Sequence, residues 1–378
     1  MSITVRPLKQ YLAEIAEFRK AKGLRHPLAA ILCLCCVALL SGAQNPNAIA
    51  EWWTNRQDLG PILERLGFEH PYGPSKSTLY RVLSLVPLEV LLSKVSQWAE
   101  ENLSHWLPAI KGQLEGIALD GKTLCGSRRQ GAAQAHLLSA FSHRLGLTLG
   151  QVAIEDKTNE IGAMPDLLLD LVLEGRVFTM DALHTQRETA QTIVDGKGDY
   201  VMIVKENQPT LQADIALVFT GPDAPLFIEE RAATLGKEHG RIEVRTLQTC
   251  SALNDFLAWP GVQRVFRLDR RTTLLKTQQV RGETVYGVTS LSSRRAGAAL
   301  LLRIVRGQWS IENRSHWVRD VTFGEDQSQV RKGHLPQVMA TLRNVAIGLI
   351  RLRRFRFVPH ALDYFASHPF EALAAIGC

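Results

Sequence analysis

The sequence has few cysteines and no apolar segment long enough to cross a membrane. Its longest apolar run, Leu28–Leu40, has 13 residues, whereas a membrane-spanning helix needs about 20. The run begins behind a charged stretch and is not closed by a small-residue cleavage site, so it does not fit a secretory signal. We therefore expect a buried core helix here, in a cytoplasmic protein with no membrane partner.

The six cysteines do not form a disulfide framework or a zinc site. Cys33, Cys35 and Cys36 lie inside the apolar run, where thiols behave as small hydrophobic residues. The other three are isolated in the sequence, and no C-x-x-C motif occurs with paired histidines. This usage is typical of a reducing cytoplasm.

Acidic residues are scarce in one segment, and that segment carries the excess positive charge of the chain. The sequence has 44 Lys+Arg against 37 Asp+Glu, a formal net charge of +7. Between Leu301 and Arg356, eleven basic residues accompany only four acidic ones. The pattern favours a polyanionic partner, with nucleic acid first and an anionic membrane second. The alternative is a solvated helical face.

Hydrophobic periodicity divides the 378 residues into three parts. Residues 1–110 are predicted to be helical, including amphipathic helices over Leu8–Ala21 and Asn45–Trp53. Residues 111–345 have the pattern of an α/β domain, with a β-rich insertion at about 228–291. Residues 346–378 form a helical C-terminal extension. No internal repeat or low-complexity tract interrupts this organisation.

A pair of short helices is predicted near the end of the N-terminal part. Ser75 or Ser77 can cap the first helix, and Pro87 can start the second. With Lys76 and Arg81 near the first start, the pair fits a DNA-binding helix-turn-helix. It fits an ordinary helix pair equally well.

The segment Gly116–Thr123 formally matches the phosphate-binding P-loop pattern G-x-x-x-x-G-K-[ST]. A P-loop needs a loop followed by a helix that starts at the lysine. Here the intervening residues Ile-Ala-Leu-Asp predict a strand, and LCGSRRQG is a poor helix start. A nucleotide-binding protein therefore remains only a remote alternative.

Three carboxylates have the pattern of a metal site. Asp120 and Asp181 each end an apolar run, GIALD and RVFTMD, which predicts two strand ends at the rim of a sheet. Glu312 lies in a predicted helix among arginines. Divalent cations such as Mg²⁺ prefer oxygen ligands, and two such ions about 4 Å apart can drive phosphoryl transfer. Singly, each carboxylate also fits a turn residue or an ion-pair partner.

Five sequence blocks carry a family resemblance: ALDGKTLCGSRR, MDALHTQ, VKENQP, HGRIEVR and WSIENRSHWVRDVTFGEDQSQVRKG. In this order they resemble the blocks of bacterial insertion-sequence DDE transposases, in particular the ISAs-type or H-repeat-associated group. The N-terminal part resembles the helical domain associated with that group. The resemblance implies an RNase H-like catalytic core with a β-rich insertion, behind an all-helical N-terminal domain. It also implies a nucleoid-associated bacterial protein.

Matched to the family's blocks, Asp120, Asp181 and Glu312 correspond to the catalytic, metal-binding triad. The resemblance implies two Mg²⁺ or Mn²⁺ ions, cleavage at the transposon ends and transfer of the 3′-OH into target DNA. The implied partners are the terminal inverted repeats and target DNA, bound by a homodimer in a synaptic complex. An inactive or repurposed DNA-binding relic is the alternative.

The chain departs from the wider superfamily around the glutamate. Where the superfamily has a Tyr and an Arg, seven and four residues before the glutamate, and a Lys seven after it, this sequence has Val305, Gln308 and Arg319. Helical spacing predicts core positions for Trp309 and Trp317, with base stacking as the alternative. The residues expected to contact DNA are Lys122, Arg128, Arg129, His184, Arg306, Arg314, Arg319, Arg331 and Lys332.

Overall fold

The computed structural model describes residues 5–21, 24–106, 114–127, 134–154, 160–238 and 240–378. Arg128 and Arg129, two of the expected DNA contacts, lie outside these ranges. The described residues form a mixed α/β protein with two compact units. We call residues 1–113, 121–171 and 310–378 the first unit, and residues 114–120 and 172–309 the second unit. Among the described residues, none of the helices combines the length and hydrophobicity that crossing a bilayer requires.

Helices and strands alternate through the middle of the chain, between helical segments at both ends. The strands are β1 (Glu115–Thr123), β2 (His136–Ser142), β3 (Thr148–Ile154), β4 (Arg176–Met180), β5 (Asp199–Val204), β6 (Glu230–Glu238), β7 (Arg241–Cys250), β8 (Arg264–Leu274) and β9 (Val280–Thr289). The helices are α1 (Leu8–Ala13), α2 (Leu28–Leu40), α3 (Pro46–Thr54), α4 (Leu59–Leu66), α5 (Lys76–Leu83), α6 (Leu88–Trp106), α7 (Glu160–Leu169), α8 (Arg187–Asp195), α9 (Pro209–Thr220), α10 (Ala224–Phe227), α11 (Ala298–Gly307), α12 (Trp309–Ile311), α13 (Leu335–Leu352), α14 (Val358–Ser367) and α15 (Pro369–Ile376).

The core of the first unit is built around α2, which coincides with the longest apolar run. Twelve of its 13 residues are buried, and it packs against α13, α15 and α1. Because the helix is apolar on every side, it has no face suited to water and lies among other helices. The prediction of a buried core helix is confirmed.

The N-terminal helices follow the sequence pattern with two exceptions. The first helix ends at Ala13 rather than Ala21, and Glu17 beyond it pairs with Arg19, Nη2 to Oε2 2.6 Å. Residues two apart face different sides of a helix, so this pair fits a non-helical chain. The second exception is α4, which was not predicted. The predicted cap is confirmed, because Ser75 Oγ accepts a hydrogen bond from Thr78 N at 3.3 Å.

Strands β2 and β3 form an antiparallel hairpin in the first unit. Ser142 N donates to Leu147 O at 2.9 Å to close the turn. Gly146 occupies the left-handed region with φ +71°, where a residue without a Cβ atom is favoured.

The second unit contains a large mixed sheet with the strand order β1-β4-β5-β9-β8-β7-β6. β1 pairs in parallel with β4, and β4 with β5. The remaining neighbours are antiparallel, beginning with Val201 of β5 opposite Thr289 of β9. The predicted β-rich insertion therefore consists of four strands that extend the same sheet.

Helix α11 covers one side of this sheet. Its buried side chains, among them Leu301 and Leu302, pack against Val177 of β4, Val201 of β5 and Phe266 of β8. The contact buries the apolar stripe of an amphipathic helix on an apolar sheet face, the usual way in which an α/β core forms. It fixes the end of α11 near the strands that carry Asp120 and Asp181.

The P-loop alternative is wrong for this chain. Residues Gly116–Thr123, which would have to wrap phosphates as a loop, belong to strand β1, and a single 3₁₀ turn, Cys125–Ser127, follows them. Their backbone N–H groups are in the strand rather than in a phosphate cradle, and no helix begins at Lys122.

Candidate active site

Asp120 and Asp181 lie side by side on neighbouring strands of the second unit. β1 and β4 are parallel, with Leu119 opposite Met180, and the next residue of each segment is the aspartate. Adjacent strands are about 4.8 Å apart. Asp181 is exposed and Asp120 is partly buried. The two aspartates therefore occupy the same edge of the sheet, Asp120 within β1 and Asp181 directly after β4.

The turn after β4 holds the Asp181 carboxylate in place. Its Oδ1 accepts hydrogen bonds from Leu183 N at 3.1 Å and His184 N at 3.4 Å. Thr185 Oγ1 donates to the Asp181 carbonyl at 3.0 Å. Because backbone donors hold only Oδ1, the turn fixes the side chain without using both carboxylate oxygens.

The loop after β5 supports the same turn. Asn207 Nδ2 donates to Ala182 O at 2.5 Å, and Gln208 Nε2 donates to Thr185 O at 3.1 Å. These residues belong to the VKENQP block. The block therefore braces the Asp181 turn through its amide side chains.

Gln308, at the end of α11, bridges the two strands that carry the aspartates. Its Nε2 donates to Leu119 O of β1 at 3.0 Å. Its Oε1 accepts from Thr179 Oγ1 of β4 at 2.5 Å. The amide thus uses a donor toward one strand and an acceptor toward the other.

Glu312 lies in the first unit, at the start of a π-helical segment, Glu312–His316, that is followed by a second one, Val318–Thr322. His316 Nδ1 and Glu312 Oε2 are 3.1 Å apart. The Glu312 side chain is 55% exposed and that of His316 only 4%. π-helical turns are rare and occur mostly at functional sites. In this widened helix, the Glu312 carboxylate faces solvent, and the buried His316 imidazole contacts it from the inner side.

The charge states of this pair follow from their surroundings. The hydrogen bond with His316 lowers the pKa of Glu312 although partial burial raises it. Burial lowers the pKa of His316, and this effect exceeds the opposite influence of Glu312. At neutral pH a neutral imidazole therefore donates from Nδ1 to a carboxylate anion. Carboxylate and imidazole atoms are both metal ligands, and these two lie within 4.8 Å of each other.

Lys122 forms an ion pair within the first unit rather than lying free at the surface. Its Nζ is 2.6 Å from Asp320 Oδ2, and its side chain is 10% exposed. Burial raises the pKa of Asp320, and Lys122 opposes that effect. The same ammonium group contributes to the lowered pKa of Glu312. Lys122 therefore places positive charge beside this helix.

The structure corrects the expectation that Arg319 contacts DNA. Its side chain is fully buried, and its Nε donates to Glu325 Oε2 at 2.8 Å. Arg343 Nη1 donates to the other oxygen of Glu325, Oε1, at 2.9 Å. A guanidinium that is enclosed and paired in this way is not available to a phosphate. Part of the basic excess near the C-terminus is therefore internal.

The other expected DNA contacts fall into three groups. Arg306, Arg331 and Lys332 are exposed. Arg314 is partly buried and donates from Nη1 to His143 O at 2.6 Å. His184 has a buried side chain, 1% exposed, so the expectation of a phosphate contact is not met by its placement.

Both tryptophans near Glu312 are more exposed than predicted. Trp309 is 57% exposed and Trp317 is 52% exposed, so the expected core positions are wrong. Within the second unit, the guanidinium carbon of Arg270 lies 5.7 Å from the Trp309 ring centroid, which is a cation–π distance. Trp309 lies in α12, and Trp317 lies between the two π-helical segments.

Comparison with known proteins agrees with this arrangement of blocks. The profile of the family described as "Transposase DDE domain" matches residues 111–349. A second profile, "DDE_Tnp_1-associated", matches residues 9–99. The chain belongs to the DDE transposase family. DNA is therefore the partner of this transposase, and its family uses divalent metal ions.

Relatives of this transposase cover most of its length. "Putative transposase YncI" of Escherichia coli O157:H7 is 30% identical over 366 residues, covering 92% of this chain and 88% of the relative. "H repeat-associated putative transposase YhhI" of Escherichia coli K12 is 28% identical over 360 residues, with 92% and 90% coverage. A piggyBac transposase synaptic complex with hairpin DNA has a TM-score of 0.40 at 8% identity, covering 97% of this chain and 77% of that one.

Several residues that organise this transposase carried no catalytic signal in the sequence. Thr179 and Asn207 are neutral residues whose partners are the Gln308 amide and the Ala182 carbonyl. Glu325 resembles any acid in a charged segment. Gln308 was visible only as a departure from the family's arginine. Its position four residues before Glu312, where the superfamily has an arginine, was the only feature of the sequence that could have drawn attention to it.

Proposed function

We propose that this protein is an active DNA transposase that cuts the ends of its element and joins them to target DNA. Asp120, Asp181 and Glu312 act as its catalytic, metal-binding carboxylates. The observation that carries the proposal is the parallel register of β1 and β4, with Leu119 opposite Met180, which brings Asp120 and Asp181 together. Family membership over residues 111–349, which include all three carboxylates, supports it.

The three side chains fit a hard divalent cation. All offer carboxylate oxygens, the ligands that Mg²⁺ and Mn²⁺ prefer. The lowered pKa of Glu312 keeps that group anionic at neutral pH. Two bound ions would activate the attacking oxygen and stabilise the leaving oxygen in an in-line displacement. The chain's own contribution is to hold the carboxylates at fixed positions, through the turn after Asp181 and the hydrogen bond from His316.

The reaction proceeds in two phosphoryl transfers. In the first, a water oxygen attacks a phosphodiester at the element's end, the P–O3′ bond breaks, and a free 3′-OH and a 5′-phosphate result. In the second, that 3′-OH attacks a target phosphodiester, a new P–O3′ bond forms, and a target 3′-OH is released. Both steps exchange one P–O bond for another, so neither needs an oxidant or a nucleotide.

The remaining assignments belong to the same proposal. We assign an RNase H-like core, supported by the parallel β1, β4 and β5 and by the antiparallel hairpin between β1 and β4 in the sequence. The domain limits are 1–110, 111–345 and 346–378, the first with DNA contact through α5 and α6. The protein acts as a homodimer on two terminal inverted repeats in a synaptic complex, and it associates with the bacterial nucleoid.

The proposal is tested on the element's own DNA. The sequence that flanks the gene identifies matched inverted repeats, which are cloned into a supercoiled plasmid and incubated with the protein and Mg²⁺ or Mn²⁺. We expect nicks at the repeat ends and joined products, both abolished by EDTA and by Glu312→Gln. Asn313→Ala, an exposed neighbour on the same helix, is the control and is expected to cut normally.

Two results would contradict the proposal. Specific binding of the repeats without cleavage in either metal would mean that the protein is a DNA-binding relic. Cleavage by Glu312→Gln at the wild-type rate would remove Glu312 from the catalytic set.

A further inference from the structure

We propose that Gln308 is a positioning residue that sets the distance between the strand ends bearing Asp120 and Asp181. The proposal rests on the function proposed above, because it concerns the metal-binding carboxylates. Gln308 donates to the carbonyl of Leu119, the residue before Asp120, and accepts from Thr179, two residues before Asp181. One amide therefore joins the backbone of β1 to a side chain of β4 at the level of the site.

The link also fixes the C-terminal end of α11 within the second unit. Gln308 caps the C-terminal end of α11, and the backbone continues through Trp309–Ile311 in helical form. Buried α11 residues, including Leu301 and Leu302, hold the body of the helix on the sheet. Hydrophobic packing sets orientation only coarsely, because it is non-directional. The two hydrogen bonds of Gln308 supply the directional constraint at the end of α11.

Thr179 contributes a buried hydroxyl to this link. Its Oγ1 donates to Gln308 Oε1 at 2.5 Å, and it also lies 3.4 Å from Ile117 O of β1. Thr179 is buried, 1% exposed. Loss of Gln308 would remove the shorter of these two contacts of a buried hydroxyl. Gln308 and Thr179 should therefore behave as a coupled pair rather than as independent contacts.

Glutamine makes a different link from the one that the superfamily's arginine could make at this position. A guanidinium offers donors only, so it cannot accept from Thr179. The amide offers one acceptor and two donors, which matches the hydroxyl of Thr179 and the carbonyl of Leu119. Where the superfamily has a charged arginine, this chain therefore has a neutral glutamine that links β1 to β4.

The test compares metal binding with and without this link. Gln308→Met keeps the approximate shape of the side chain and removes both hydrogen bonds, while Thr179→Val removes the partner hydroxyl. Mn²⁺ binding to the full-length protein is measured in the absence of DNA, by the electron paramagnetic resonance of free Mn²⁺. Removing residues that orient metal ligands typically weakens metal binding by about 10- to 100-fold. We expect a weakening in this range for Gln308→Met and for Thr179→Val.

Comparing the double variant with the two single variants shows whether Gln308 and Thr179 act as a pair or whether each substitution merely loosens the packing. In the double variant the two losses should not multiply, because either single change already breaks the link. Gln263→Met makes the same chemical change at an exposed position of the second unit, and it should bind Mn²⁺ as wild type does. Thermal unfolding is followed in parallel, and Thr179→Val decides the question if Gln308→Met does not fold.

The outcomes distinguish this inference from the function on which it rests. If Asp181→Asn leaves Mn²⁺ binding unchanged, the proposed metal site is wrong. If Asp181→Asn abolishes binding but Gln308→Met and Thr179→Val both bind within twofold of wild type, the positioning role is wrong and the metal site stands. A Gln308→Met variant that loses DNA affinity alone would make Gln308 a DNA contact and would also overturn the inference.

Discussion

Arg319 and Glu325 form an ion pair in the interior of the first unit, with Arg319 Nε 2.8 Å from Glu325 Oε2. Their side chains are 0% and 3% exposed. Arg343 binds the second oxygen of the same carboxylate. Glu325 is therefore the only acid shared by two enclosed guanidinium groups among the described residues of this segment. The network ties the loop after the π-helical segments to α13.

The first prediction is that breaking this network is costly. Arg319→Leu should lower the free energy of unfolding by about 3–5 kcal/mol, because it removes one partner from a buried charged group. Urea denaturation of the full-length protein measures the change. Arg331→Leu alters an exposed arginine nearby and should stay within about 0.5 kcal/mol of wild type. Equal effects of the two substitutions would contradict the buried placement of Arg319.

The second prediction concerns pH. Burial, with the adjacent Arg314, lowers the pKa of His143 to about 3, well below the value of about 6.5 for an unfolded chain. Between these values the unfolded chain binds a proton that the folded protein does not. Stability is therefore complete above about pH 6.5 and falls as the pH drops, by at most about 1.4 kcal/mol per pH unit.

His143→Gln removes the group responsible. Urea unfolding between pH 6.5 and pH 4.5 should then depend less steeply on pH than in wild type. An identical slope in both proteins would mean that His143 titrates in the folded state over this range, contrary to its enclosed position.

The third prediction is that His316 supports Glu312 through a hydrogen bond that an amide can replace. Asn at this position retains a donor near Nδ1, whereas Ala has none. His316→Ala should weaken Mn²⁺ binding by about 10-fold or more, and His316→Asn should recover part of the loss. If Asn and Ala bind Mn²⁺ equally weakly, the imidazole is required itself, for instance as a direct ligand.

The fourth prediction separates exposed from buried basic residues in DNA binding. Arg306, Arg331 and Lys332 are exposed, and each neutralised phosphate contributes about 0.9 to the slope of log affinity against log salt. An Ala substitution at any of the three should reduce the magnitude of that slope by about 1, because one phosphate is then no longer neutralised. Affinity for a cognate end, measured at a series of salt concentrations, provides the test. An unchanged slope in the triple variant would place the DNA elsewhere.

Much of the second unit could be predicted because its strands are buried, continuous and apolar. GIALD and RVFTMD both end in an acid, and parallel strands bring equivalent ends together, so the neighbouring positions of Asp120 and Asp181 follow from local pattern. The buried helix α2 was predictable for a related reason. A helix that is apolar on every side is stable only in the protein interior.

Other features depend on contacts between distant residues, which a local pattern does not contain. Arg319 resembles a surface arginine until Glu325 and Arg343 are placed around it. The exposure of Trp309 and Trp317 depends on what packs around each residue, which their spacing in the sequence does not contain. Gln308 has no chemistry of its own, and its role depends on a carbonyl 189 residues away.

In the proposed function, Asp120, Asp181 and Glu312 carry out metal-dependent cleavage of the element's ends. The most direct test is nicking of an end-labelled terminal repeat in Mg²⁺ by wild-type protein and by Asp181→Asn, with DNA affinity measured beside it. We expect Asp181→Asn to bind the repeat as tightly as wild type and to cut it about 1000-fold more slowly, equivalent to about 4 kcal/mol. Cutting by Asp181→Asn at the wild-type rate would contradict the proposed function.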